Sequence, residues 1–132
     1  MIFRDVLEYK TKSEERLDIT KDVQAVVEKY SIQEGLCNIF LKGTTAALTI
    51  NEDDMMLMAD IKKMLARIAP PDKFYQHPEN AHSHLRSILM NNCLSIPIAN
   101  GKLLLGTWQS ILLWEFDVEE RDRMIVVTMI GG

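Results

Sequence analysis

The stretch Cys93-Leu-Ser-Ile-Pro-Ile-Ala-Asn-Gly-Lys-Leu-Leu-Leu-Gly-Thr-Trp-Gln-Ser-Ile-Leu-Leu-Trp-Glu-Phe116 decides the fold. Residues 93–99 read as a strand. Asn100-Gly101 follows, and this pair suits a two-residue type I′ turn, in which both central residues need positive φ. Residues 102–105 return as a strand and residues 108–116 form another, with Gly106 as a bulge or close-approach point between them. Residues 118–122 turn the chain, and 123–130 close the sheet. Strands that follow one another with no helix between them predict an antiparallel meander.

Outward from this meander the chain mixes strands and helices. Residues 2–9 read as an opening strand and 16–19 as a second, short one. Thr20 is placed to cap a helix over 20–30, since Ile19, Val23, Val26, Val27 and Tyr30 recur at helical spacing. Gly35 opens a strand over 36–41, Lys42-Gly43 breaks it, and the threonine-rich residues 44–50 form the next strand. The polar run Asn51-Glu-Asp-Asp54 leads into a helix from Met55 to about residue 68, with Leu57, Ile61, Met64, Leu65 and Ile68 on its inner face. Pro70-Pro71 ends it. Asn80 is placed to cap a helix over 81–90, with Ala81, Leu85, Ile88 and Leu89 on one face. Strands and helices do not alternate regularly. The expectation is one α+β domain over residues 1–132, with a mixed or antiparallel sheet, about three helices and a C-terminal β-meander.

Composition limits the function. A chain of 132 residues, 47% of them hydrophobic, can bury a core without disulfides or a structural metal. The formal net charge is −4, and the basic residues are scattered. A nucleic-acid binder needs a basic face to displace counterions from phosphates, so none is expected as a partner. Cys37 and Cys93 both lie in apolar runs and are expected as buried, reduced thiols. Charge arrives at Arg4 and Asp5 before any apolar run develops, and no stretch is long enough to span a bilayer. The expected location is the cytoplasm, with no membrane partner.

All three histidines, His77, His82 and His84, fall within eight positions. Clustered imidazoles make zinc sites or general acid–base pairs near neutral pH. Helical geometry sets a limit: His82 and His84 point to nearly opposite sides, whereas Asn80 and His84 share a face. On spacing alone, polar loop and cap residues are the better reading. Gly43-Thr44-Thr45 is a small, hydroxyl-rich turn whose N–H groups and hydroxyls can receive a phosphate. Without a following Gly-Lys-Ser/Thr it is not a P-loop. Glu52, at a helix entry, gains interest only beside a histidine. Gly106-Thr107-Trp108-Gln109 suits either a bulge with a buried Trp or a ligand wall, with Trp108 stacking on a ring and Gln109 bonding its edge.

Taken together, Gly43-Thr-Thr-Ala-Ala-Leu-Thr-Ile-Asn-Glu52, Asn80-Ala-His-Ser-His-Leu-Arg86, Ile96-Pro-Ile-Ala-Asn-Gly-Lys-Leu103 and Leu105-Gly-Thr-Trp-Gln-Ser-Ile111 resemble the YjbQ-like family of small bacterial and archaeal proteins. The resemblance covers nearly the whole chain. It implies a compact α+β fold assembled as a homotrimer. It also implies a secondary thiamine-phosphate synthase activity, which joins an aminopyrimidine-methyl diphosphate to a thiazole phosphate. The family's histidine, asparagine and Asn-Glu pair correspond to His84, Asn80, Asn51 and Glu52. Some members carry a histidine where this chain has Gly43, and His82 is the available substitute.

These readings give one working expectation: a small transferase acting on a phosphorylated small molecule. Thr44, Thr45 and the helix start near Asn80 hold phosphate, and Gly106, Thr107, Trp108 and Gln109 wall the ring. His84 protonates a leaving oxygen, and Glu52 orients it or holds a divalent ion, zinc or magnesium. The competing expectation is a non-catalytic trimer that binds a metal at His77, His82 and His84, or another small ligand.

Overall fold

The computed structural model describes all of residues 1–132. The elements in order are β1 (Ile2–Thr11), β2 (Arg16–Asp18), α1 (Thr20–Lys29), β3 (Gly35–Leu41), β4 (Ala46–Asn51), α2 (Met55–Ile68), α3 (Ala81–Leu89), β5 (Cys93–Ala99), β6 (Lys102–Leu103), β7 (Ser110–Glu115) and β8 (Arg121–Gly131). They form an α+β fold with two antiparallel sheets. The larger has the order β1-β8-β3-β5-β6 and the smaller β2-β7-β4. No helix is long and apolar enough to cross a membrane.

Period-2 alternation builds the space between the sheets. Ile125, Val127 and Met129 of β8 and Cys37, Ile39 and Leu41 of β3 point inward from the large sheet. Ala46, Leu48, Ile111 and Leu113 meet them from the small sheet, and Ile19, Val23, Val26 and Val27 bring α1 into the same core. The opposite face of the small sheet, carrying Ala47, Leu112, Trp114 and Phe116, is covered by Leu65 of α2. Of the meander's strands, β5 has the expected bounds, β6 and β7 are shorter than expected, and β8 is longer. Asn100 and Gly101 adopt φ of 52° and 76°, as their turn requires. The strand expected over 102–105 stops at Leu103, and the one expected from 108 starts at Ser110.

Between them lies a turn rather than a bulge. The Gln109 side chain accepts a hydrogen bond from the Gly106 N–H at 2.7 Å, and the Gln109 N–H donates to the Gly106 carbonyl at 3.0 Å. That self-contained turn lets β7 leave the large sheet and pair with β4 and β2. The buried tryptophan is Trp114, while Trp108 is 73% exposed. Cys37 is buried as expected, but Cys93 is exposed.

The helices also depart from expectation in which residues face inward. Asp18, not Thr20, accepts the bonds at the start of α1: the Thr20 N–H and hydroxyl both donate to its carboxylate. On α2 only Leu65 is fully buried, and Met64 and Ile68 are exposed. On α3 the expected apolar face is outside. Ala81, His82, Ser83, Arg86 and Ser87 are buried, and Leu85, Ile88 and Leu89 are exposed. The reason is that α3 packs on strand ends with free carbonyls. Ser83 donates to Phe116 O at 2.5 Å, Ser87 to Ala46 O at 2.6 Å and Arg86 Nε to Ala69 O at 3.1 Å. Pairing these buried carbonyls avoids a desolvation penalty that three aliphatic side chains in the same place could not relieve.

Candidate functional site

Sheet register gathers polar residues at one end of the sandwich. Thr11 pairs with Arg121, Leu41 with Ile125, and Ala46 with Glu115. So β1, β3 and β7 end, and β4 and β8 begin, at the same place. Arg123 shares the inward face of β8 with Ile125 and Val127, and Glu115 shares the inward face of β7 with Ile111 and Leu113. An ion pair therefore crosses between the sheets. Arg123 Nε lies 2.6 Å from Glu115 Oε1, and Nη2 lies 2.5 Å from Oε2. Thr11 and the Asp117 N–H complete the carboxylate's partners.

Asp117 is the second hub. Its Oδ1 accepts from Asn80 Nδ2 at 3.1 Å and from the Val118 N–H at 2.8 Å. Its Oδ2 accepts from Thr45 at 3.1 Å and Arg121 Nε at 2.7 Å. Burial alone would push this carboxyl up. The hydrogen bonds from Asn80, Val118, Arg121 and Thr45 outweigh burial and hold it at about 2.

The network reaches the surface through two routes. On one, Asn80 Oδ1 meets His77 Nε2 at 3.0 Å, and the His77 ring stands edge-on to His84 with centroids 5.1 Å apart. On the other, Arg123 Nη2 donates to Thr45 Oγ1 at 2.7 Å, while Nη1 makes no hydrogen bond within the chain. No fully buried side-chain nitrogen lacks a partner, so Nη1 must reach solvent. It lies behind Gly43, where a Cβ would come within 2.8 Å of it. Gly43 and Thr44 form one wall of a cleft of about 470 Å³, with His84, Ser87 and Asn92 opposite. Thr44 and His84 thus line the cleft, with the Arg123 guanidinium behind Gly43, and a hydroxyl, an imidazole and a nearby positive charge suit a phosphate.

Several expected site residues lie elsewhere. The Thr45 hydroxyl is turned inward and spent on Asp117 and Arg123, so Thr44 alone presents a hydroxyl to the cleft. Asn80 sits at the N-cap position just before α3, but its side chain bridges Asp117 and His77 instead of capping the helix. His82 is buried. Burial and the neighbouring Arg86 charge push its imidazole down, so it is neutral at pH 7. It does not join His77 and His84, and no group of three His, Cys, Asp or Glu residues in the chain could hold a metal ion. Within one chain the donors do not fit a zinc or magnesium centre.

Asn51, Glu52, Trp108 and Gln109 line a second cleft, of about 300 Å³. Gly106 and Thr107 sit exposed in the adjoining turn. Asn51 ends β4 and Thr45 precedes its start, so this cleft lies roughly 20 Å from the His84 cleft at ~3.3 Å per residue. In a single chain Glu52 therefore does not orient His84. Glu115-Phe-Asp117 and the strand of Arg123 fit the family pattern, but neither they nor Arg121 were expected in the site. Their signal is a pair of carboxylates closing the apolar run Ile111-Leu-Leu-Trp114, and an arginine in phase with the core residues of β8.

Comparison with known proteins follows the same lines. The family model of UPF0047 YjbQ-like proteins matches residues 5–132. A UPF0047 protein of Methanothermobacter thermautotrophicus is 41% identical over 120 residues, covering 89% of this chain and 83% of its own. UPF0047 protein YugU of Bacillus subtilis is 34% identical, covering 92% and 93%. The crystal structure of a YbjQ-like protein of unknown function from Sulfolobus solfataricus superposes with a TM-score of 0.90 at 33% identity, over 100% of both chains. An uncharacterised family member from Clostridium acetobutylicum superposes at 0.85 and 39%, covering 94% and 99%.

Proposed function

The chain belongs to the UPF0047 YjbQ-like family, and on that premise we propose that it is a small transferase that handles phosphorylated heterocycles, with thiamine-phosphate synthase chemistry as its accessible reaction. The observation that carries the reading is the anion-ready corner at Gly43-Thr44, with Arg123 Nη1 behind the glycine and His84 across the cleft.

The reaction it suits is a displacement at a pyrimidine methylene. The C–O bond to diphosphate breaks and its electron pair leaves with the diphosphate. The lone pair of the thiazole nitrogen then forms the new C–N bond. The pyrimidine ring stabilises the intervening cation, so charge neutralisation and positioning carry most of the catalysis. Thr44 and Arg123 Nη1 hold the departing phosphate oxygens. His84 donates a proton to one of them and regains it from solvent. Trp108 supplies a stacking surface and Glu52 orients His84.

Trp108 and Glu52 belong to the other cleft, and this is the reason a homotrimer forms part of the reading. Leu85, Ile88 and Leu89 of α3 and Met55, Met56, Met64 and Ile68 of α2 leave an apolar surface fit for subunit contact. Association would let the Glu52-Trp108 end of one copy face the His84 end of the next. The test is thiamine phosphate formation by the purified protein and by His84→Ala. A loss of about 100-fold in the variant supports the acid role. Equal rates in the two would refute it.

A further inference from the structure

A cavity of about 250 Å³ lies between the helical layer and the small sheet, on the flank of α3 away from the His84 cleft. Leu65 and Ala66 of α2 form one side. Trp114 and Phe116, two residues apart on the same face of the chain and inclined by 22°, form the opposite wall. His84 and Arg86 are two positions apart on α3, roughly 200° around the helix, so Arg86 points into this cavity rather than the cleft.

Arg86 does not look like a structural arginine. Only 7% of Arg86 is accessible. Only Nε has a hydrogen-bond acceptor in the chain, the Ala69 carbonyl. The acid nearest to the guanidinium tip is Glu14, with Oε1 3.7 Å from Nη1, outside hydrogen-bond range. Since no fully buried side-chain nitrogen is without a partner, the two Nη groups open on the cavity. Those two N–H edges are met only by water in the free protein, so an acceptor entering the cavity can take water's place on them.

The other charges around the cavity set the ligand's charge. Glu115 also lines it, but its carboxylate is neutralised by Arg123. Lys62 adds a positive charge and Glu14 a negative one at the rim, and His82 beside Arg86 is neutral. The sum is one net positive charge facing an apolar, aromatic-walled space. A planar guanidinium edge matches a carboxylate bidentately. A phosphate dianion would leave one negative charge unbalanced, against Glu14.

The geometry points to a second ligand site, in which a small aromatic or planar monocarboxylate lies against Trp114 and Phe116 with its carboxylate on Arg86. Glu14 is the gate of that site. It holds a left-handed backbone, φ 61°, in the β1–β2 turn, and its side chain is 62% exposed. Its long contact with Nη1 is a weak, exchangeable one that an incoming carboxylate replaces.

The probe is 4-(trifluoromethyl)benzoate, followed by fluorine NMR against the full chain, with the uncharged 4-(trifluoromethyl)benzamide as control. The acid is expected to bind with Kd near or below about 1 mM, the range for a good ligand of this size, and the amide at least about ten-fold more weakly. Arg86→Met should lose the acid's advantage. Glu14→Gln should tighten the acid by a few fold, because it removes the competing carboxylate. Ala66→Phe, at an exposed helix position, should fill the cavity and lose both ligands without touching any charge. It keeps the test valid where Arg86→Met fails to fold. No binding of the acid, equal binding of acid and amide, or binding undiminished in Ala66→Phe overturns the site.

Discussion

At the scale of single residues, Asp117 and Gly43 matter most. Asp117 has its carboxyl held at about 2, below its usual value of 3.8, by four hydrogen bonds. A carboxyl with a depressed folded pKa stabilises the native state above the unfolded pKa and loses that contribution as pH falls through the folded one. The shift corresponds to about 2 kcal/mol. Asp117→Asn should therefore be less stable than the parent by about that amount at pH 7, and the gap should close between pH 5 and pH 2, read by urea unfolding at each pH. A gap independent of pH would mean that the carboxylate's charge is not what the four donors hold. Gly43 has a different role: it keeps space in front of Arg123 Nη1. Gly43→Ala is expected to weaken inorganic pyrophosphate binding by about ten-fold in calorimetry, with melting temperature changed by only a few degrees. Unchanged affinity would remove Arg123 from the phosphate site. Glu115→Ala, in contrast, strands a buried arginine and should cost about 3–5 kcal/mol of stability.

At the scale of elements, α3 decides what the cleft can be. Its inward face is polar because it packs across strand ends, where Ser83 and Ser87 satisfy carbonyls of Phe116 and Ala46. Ser83→Ala should cost about 1–3 kcal/mol in chemical denaturation, since it orphans a buried carbonyl. Ser83→Ala within ~0.5 kcal/mol of the parent would mean that carbonyl has another partner. The same helix shows what the sequence could and could not disclose. Leu85, Ile88 and Leu89 fall at helical spacing, so periodicity assigns them to the core, but periodicity cannot tell a face that meets a sheet surface from one that meets strand ends. The strands were legible for the opposite reason. Ile125, Val127 and Met129 alternate with more exposed residues, and Asn100-Gly101 admits essentially one turn. Which sheet β7 joins was not legible, because the bond between Gln109 and Gly106 that lets the strand leave is a local, side-chain event. His84 and Asn80 were candidates from the family's motif, and Thr44 from its hydroxyl-rich turn. The pairing of Glu115 with Arg123 was hidden, because an ion pair between two sheets depends on register that no single stretch of sequence carries.

At the scale of the whole molecule, the two clefts at opposite ends of the small sheet are the main constraint on the proposed chemistry. If active sites form between copies, His84→Ala and Glu52→Ala proteins, each inactive alone, should recover part of the activity when unfolded and refolded together. Absence of any recovery, with mixed assemblies verified by mass spectrometry, would place both residues' roles within one copy or remove Glu52 altogether. Ile88→Asp, which puts charge on the exposed apolar face of α3, should shift the particle toward monomer in light scattering while the isolated fold persists. The central claim, that the His84-Thr44 cleft receives phosphate, has a more direct test that does not depend on knowing the substrate. The chain's three histidines give three imidazole signals. Titration with inorganic pyrophosphate, followed by imidazole NMR, should move the His84 signal most, carry His77 with it through their edge-on contact, and leave the buried His82 in place. A His84 signal that stays fixed while pyrophosphate saturates the protein, or fails to bind it at all, would contradict the account.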